Sequence, residues 1–195
     1  ALVAILIDLT RKTNTQAAAQ KTLNDIREKA QEDIVEEKQK IEALVAVARD
    51  DTNSMNDRIK ATKELNRIIP NYNAQLDKTT GKYRENKKAL DEYLSSLVHK
   101  YEIEGAKAML ADLGKQAAKA RIDVDNAKKA VREAKELQKS GVGQSYTTSW
   151  GSVGNTTVDY MQKVNVDLEK ANNKAAEVKA KQDAIMKTWG NDIKK

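Results

Sequence analysis

Between Ala106 and Ala134 the small and apolar residues advance by four and by three without a slip: Ala106, Leu110, Leu113, Ala117, Ala120, Val124, Ala127, Val131 and Ala134. A spacing that averages 3.5 residues places all of these side chains on one stripe of an α-helix and on no single face of a strand. A second stripe obeys the same rule: Met161, Val164, Leu168, Ala171, Ala175, Val178, Gln182, Ile185 and Trp189. Two such helices joined by one loop should fold back as an antiparallel coiled-coil hairpin. Alanine in the seam lets the axes approach but buries little area, and burial is worth about 25 cal/mol per Å2. The hairpin is therefore expected to be weaker than a leucine-rich one and to favour self-association. Asp125–Lys129, Glu177–Lys181 and Asp183–Lys187, acid first and four apart, should each add a few tenths of a kcal/mol, about 0.2–0.5. Glutamate at Ala127 or Ala171 should open the pair.

The rest of the chain repeats the helical theme with few breakers. From Thr15 to Arg49 there is no glycine or proline, and Leu23, Ile26, Ala30, Ile34, Ile41, Leu44 and Ala48 recur at helical spacing, with a charged gap at Glu37. Asp51 to Ser54 interrupts. Ser54 with Asp57 has the form of a capping box, opening a short helix striped by Met55, Ile59, Thr62, Leu65 and Ile69. Pro70, the only proline, should end that helix, because it lacks a donor and disfavours helical geometry at Ile69. An irregular stretch then runs through Asn71, Asn73 and LDKTTG to Gly81, and a long helix is expected from Tyr83 to Lys139. Its first part should bury Leu90, Tyr93, Leu94, Leu97, Val98 and Tyr101, with Gly105 interrupting the stripe. The fold class is thus all-α, an elongated helical bundle with a long antiparallel coiled-coil hairpin. The expected division is 1–82, with a hinge at Pro70 and Gly81, and 83–195, with a glycine-, serine- and threonine-rich loop over 140–157. That loop, holding Tyr146 and Trp150, reads either as a tip in which Trp150 covers the hairpin end or as a partner contact or small β-hairpin. Thr156 with Asp159 suggests a cap for the last helix.

Composition narrows function more by exclusion than by motif. Aromatics are 4%, phenylalanine is absent and charged residues reach 33%, a profile of long helices rather than of one thick core. Cysteine is absent, so thiolate metal sites and disulfides are excluded. His99 is the sole histidine and lies in sequence among Leu97, Val98 and Tyr101; it reads as structural, with no partner for a catalytic dyad. GVG at 141–143 precedes no GK[ST] and is not a phosphate loop. Tyr72, Tyr83, Tyr93 and Tyr101 read as packing groups rather than a base-stacking platform. No enzyme activity, cofactor, metal or small-molecule substrate is expected. The net charge of +6 is spread along the chain and does not demand nucleic acid. Between Lys115 and Lys139 cations do outnumber acids, which leaves a basic nucleic-acid contact as one alternative. The run Ala1–Ile7 is too short to span a bilayer by itself. It reads as a helix start or as the edge of a longer apolar segment, the one feature bearing on a membrane. The chain reads as a piece of a larger protein.

Over residues 34–110 the elements ELNRIIPNYN, LDKTTGKY and ENKKALDEYLSSL resemble a helical region in tail tape measure proteins of tailed phages and prophages. The flanking alanine- and lysine-rich helices agree with that family in style. The resemblance implies a virion structural protein lying in the tail lumen and synthesised in the host cytoplasm. Such a protein sets tail length during assembly, is packed in the tube before DNA ejection, and has tail tube and tail assembly chaperone proteins as partners. A second alternative is a coiled-coil binding module of a secretion or toxin-translocation rod, with the 140–157 loop as its contact.

Overall fold

The computed structural model describes the backbone of residues 2–141, 145–147 and 153–195, and the side chains of 11–141 and 156–195. The protein is all-α, with five helices and two short strand pairs among the described residues. The order is α1 (Leu2–Asp33), α2 (Val35–Arg49), α3 (Met55–Ile68), β1 (Gln75–Leu76), β2 (Tyr83–Arg84), α4 (Lys87–Lys139), β3 (Ser145–Thr147), β4 (Val153–Asn155) and α5 (Thr156–Ile193). Packing divides the chain into two units, 25–106 and 1–24 with 107–195. These boundaries cut through α1 and α4, whereas the division at 82/83 followed the breakers along the chain. The side chains of Leu2–Ile7, and Trp150, lie outside the described residues. Among those described, no helix is long and apolar enough to cross a membrane.

In unit 25–106 the helix expected from Thr15 starts at Leu2 and is divided at Ile34. Ile34 stays near-helical (φ −82°, ψ −15°) and keeps its bonds to the Ala30 and Lys38 backbone at 3.3 and 2.9 Å. The buried stripe continues from Ile26, Ala30 and Ile34 to Ile41, Val45 and Ala48; Leu44 is half-buried and packs against the same core, and Val45 joins the stripe. The Ser54 cap forms as read: its Oγ accepts from the Asp57 N–H at 3.1 Å and donates to the Asp57 carboxylate at 2.6 Å. Pro70 ends α3 after Ile68, and Ile69 before it is extended (φ −102°, ψ 112°). Tyr72 N–H donates to the Ile69 carbonyl at 3.3 Å and Asn71 has φ +58°, so Pro70 and Asn71 fill the central positions of a type II turn. The turn sends Tyr72 into the core, fully buried among Ile41, Leu65, Ile69 and Leu97.

The irregular stretch is more ordered than its composition implies. β1 and β2 pair antiparallel, Gln75 with Arg84 and Leu76 with Tyr83. Between them Asp77 Oδ1 accepts from the Thr79 and Thr80 N–H groups at 2.8 and 3.0 Å, and Gly81 closes the turn at φ +70°. Tyr83 and Arg84 are therefore strand, and the long helix starts four residues later than expected. Asn86 decides this, because its side chain accepts from the Ala89 N–H at 3.2 Å and caps α4. Gly105 does not interrupt α4. It admits Ile26, whose Cγ2 would stand 3.4 Å from a Cβ placed there.

In unit 1–24 with 107–195, α4 packs against α5 as the hairpin, and Val131, Ala134 and Val164 form a shared core with Ala130, Met161 and Leu168. The two helices are bridged by β3 and β4, with Ser145 opposite Asn155, Tyr146 opposite Gly154 and Thr147 opposite Val153. The loop thus contains the small β-hairpin that was one of its two readings. α5 begins at Thr156, and Asp159 lies in its first turn, where its charge suits the helix dipole. Gly114, in mid-helix, is exposed, and a methyl group at its Cα would meet nothing within 4 Å. Gly114→Ala should therefore raise stability by about 1 kcal/mol through helix propensity alone. An unchanged or lowered melting temperature would show that this stretch of α4 is not helical in solution.

Candidate functional site

The seam residues take these places. On α4, Leu113, Ala120, Val131 and Ala134 are buried, and Leu110, Ala117, Val124 and Ala127 are half-buried. On α5, Val164, Val178, Ile185 and Trp189 are buried, and Met161, Leu168, Ala171 and Ala175 are half-buried. Glu177 and Lys181 pair at 2.6 Å as the spacing suggested, while Lys129 turns to Glu133 at 3.9 Å rather than to Asp125. His99 is exposed on α4, 4.0 Å from Glu102. It stands two residues, or some 200° of helix, beyond the buried Leu97, so it cannot share that face.

A polar cluster that sequence reasoning did not find lies where the end of α2, the turn after Pro70 and the segment after β2 meet. Tyr72 O–H donates to Glu85 Oε2 at 2.7 Å, and the hydroxyls of Tyr72 and Tyr83 are 3.1 Å apart. Since the single Tyr72 proton is committed to Glu85, Tyr83 supplies the proton of the second bond. Arg49, at the end of α2, donates to Glu85 Oε1. Burial, then the bonds to Tyr83 and Glu85, hold the Tyr72 phenol far above its ordinary pKa, and burial raises Tyr83 as well. Burial works to raise Glu85 too, but the bonds from Arg49 and Tyr72 outweigh it and the carboxyl lies below its usual range. Each Glu85 carboxylate oxygen accepts a bond, and both phenols stay protonated, so the four side chains hold the end of α2 to the segments around Tyr72 and Tyr83. Chemically it is a clamp.

A second clamp centres on Arg58, which is only 4% exposed. Its Nε donates to the Ala48 carbonyl at 3.1 Å and its Nη2 to the Gly81 carbonyl at 2.8 Å, tying the end of α2 to the β1–β2 turn. A third uses Asn66, whose amide donates to the Ala74 carbonyl at 2.9 Å and accepts from the Ala74 N–H at 2.7 Å. The available signals were slight: an arginine at a helical core position and an asparagine four residues before the proline. A cleft of about 490 Å3 lies beside the α1–α2 junction, lined by Asp33, Glu36, Glu37, Lys40, Arg67 and Tyr101. Within it Glu37 accepts from Tyr93 and Tyr101 at 3.3 and 3.5 Å, and Arg67 is held by Glu64 at 2.6 Å. Its walls carry both signs of charge, and among the described residues no three of His, Asp and Glu converge to hold a metal.

The clamp makes stability pH-dependent at both ends. Tyr72 and Tyr83 have folded pKa values above the unfolded value, so their contribution is complete below about pH 10 and is lost as pH rises beyond it. Glu85 is depressed, so its contribution is present above roughly pH 4 and is lost as pH falls. Melting temperature should therefore drop between neutral pH and pH ~11, and the drop should be shallower in Tyr72→Phe. Parallel curves for the two proteins would contradict this assignment. No family model, curated protein or solved structure matches the chain.

Proposed function

We propose that this chain is a structural region of a phage tail, an internal part of a tape measure protein that helps set tail length and is packed in the tail tube before DNA ejection. The observation that carries the reading is the α4–α5 pair: 53 and 38 residues of continuous helix held by a seam largely of alanine and valine. A ruler needs a fixed length per residue, and an α-helix supplies about 1.5 Å each. A lumen occupant also needs a narrow cross-section and contacts weak enough to separate, and a small-residue seam meets both needs. The motifs of residues 34–110 add the resemblance described above. In this role the chain contributes length and self-association rather than catalysis. Deleting 107–195 in frame from the parent gene should shorten tails by about 130 Å if the segment is extended in the tube, or about half that if the hairpin persists. Tails of unchanged length in electron micrographs would end the reading, as would a parent gene with no tail tube, chaperone or baseplate genes beside it.

A further inference from the structure

The flank of the α4 seam carries a line of five exposed cations. Each of Ala120, Ala127 and Ala134 is followed by a cation, Arg121, Lys128 and Lys135, placing one at the same edge of the helix in three consecutive heptads. Arg132 and Lys139 stand four residues beyond Lys128 and Lys135, one turn along the same edge. All five are exposed. In a coiled coil such edge positions normally meet opposite charges on the partner helix. When two helices pair antiparallel, the edges that follow equivalent seam residues face each other, and on α5 these residues are Asn165, Asn172, Lys179 and Met186. None is acidic. Lys139 pairs with Glu136 at 3.0 Å; among the described residues no carboxylate lies within 4 Å of the cationic nitrogens of Arg121, Lys128, Arg132 or Lys135.

We propose that this edge of α4 docks the phosphate backbone of a nucleic-acid duplex without regard to sequence. Residues 121–139 span about 27 Å of helix, and a duplex presents one phosphate per ~3.4 Å on each strand along such a length. The line holds one acid, Asp125, and no apolar side chain. A protein partner would gain little buried area from it, whereas a polyanion gains from counterion release. The excess of cations over acids between Lys115 and Lys139 is legible in the sequence, and the heptad register places five of them along one edge. The inference stands apart from the tail reading and does not depend on it.

The test is fluorescence anisotropy of a labelled 30-base-pair duplex of random sequence titrated with the 195-residue protein across salt concentrations. Binding should weaken with a log–log salt slope of about −4, near −0.9 per phosphate neutralised. Arg121→Gln, Lys128→Gln and Lys135→Gln together should cut affinity at least tenfold at low salt and reduce the slope by about 2.7, with helicity unchanged because all three are exposed. Lys163→Gln, Lys170→Gln and Lys187→Gln on α5 remove equal charge and should leave most of the binding intact. No binding at low salt, equal loss in the two triple variants, or displacement of the duplex by polyglutamate at equal charge concentration would each overturn the proposal.

Discussion

Replacing Arg58 by methionine should destabilise unit 25–106 by about 2–4 kcal/mol, despite keeping a long side chain in the core. The guanidinium spans the Ala48 and Gly81 carbonyls, 33 residues apart in the chain, and its charge sits at the negative end of the α2 dipole. Methionine fills much of the volume but donates nothing, so the Ala48 carbonyl loses a buried partner at about 1–3 kcal/mol and the half-buried Gly81 carbonyl loses one at a smaller cost. Part of that cost is offset, since the buried charge and its desolvation also disappear. Lysine is no remedy, because one ammonium cannot reproduce the planar fork that reaches both oxygens. Denaturant melts of the whole chain would give the magnitude. Hydrogen exchange should localise it, with faster exchange at Asp77 and Gly81, whose N–H groups close the turn at 3.0 and 2.8 Å. If the variant melted with wild type and those amides kept their protection, Arg58 would be a bystander.

Ala134→Glu should be the most damaging single change in the hairpin. Ala134 is fully buried and packs with Val131 and Val164. A carboxylate there must either stay buried without a partner or push the two helices apart, and either course costs at least about 3 kcal/mol. Because the seam is built of small residues, little burial is available to resist separation, so opening should be the outcome. Circular dichroism should show lost helicity together with a lower melting temperature. Glutamate at Ala127 or Ala171 should act in the same direction but less strongly, since those positions are only half-buried. Ala118, exposed on the same helix, supplies the control: glutamate there should change stability by no more than about 0.5 kcal/mol. Equal effects at Ala134 and Ala118 would mean that the seam is not a packed interface.

These two sites differ in how visible they were. Ala134 belongs to a repeat whose period equals that of the structure it forms, so position alone located it on the buried stripe. Pro70, the Ser54 cap and the end of α4 at Lys139 were legible for a similar reason, since each acts on its own backbone or on neighbours within four residues. The start of α4 was misplaced by four residues because Tyr83 and Arg84 are claimed by a strand partner seven to nine residues upstream. Helical pattern could not anticipate that competition.

Arg58, Asn66, Tyr72 and Glu85 were invisible on a different ground. In a chain with 29 acids and 35 bases, nothing in the sequence sets apart a carboxylate that will be enclosed from one that will face water. Their partners lie 8 to 36 positions away across turns, and such distances leave no periodic trace. What the amino-acid order determined alone was the helical class, the seams and the breaks between helices, because hydrophobic spacing and backbone chemistry operate over one or two turns. The tertiary structure decided which polar groups close the turns, because that depends on which distant segment comes to lie alongside.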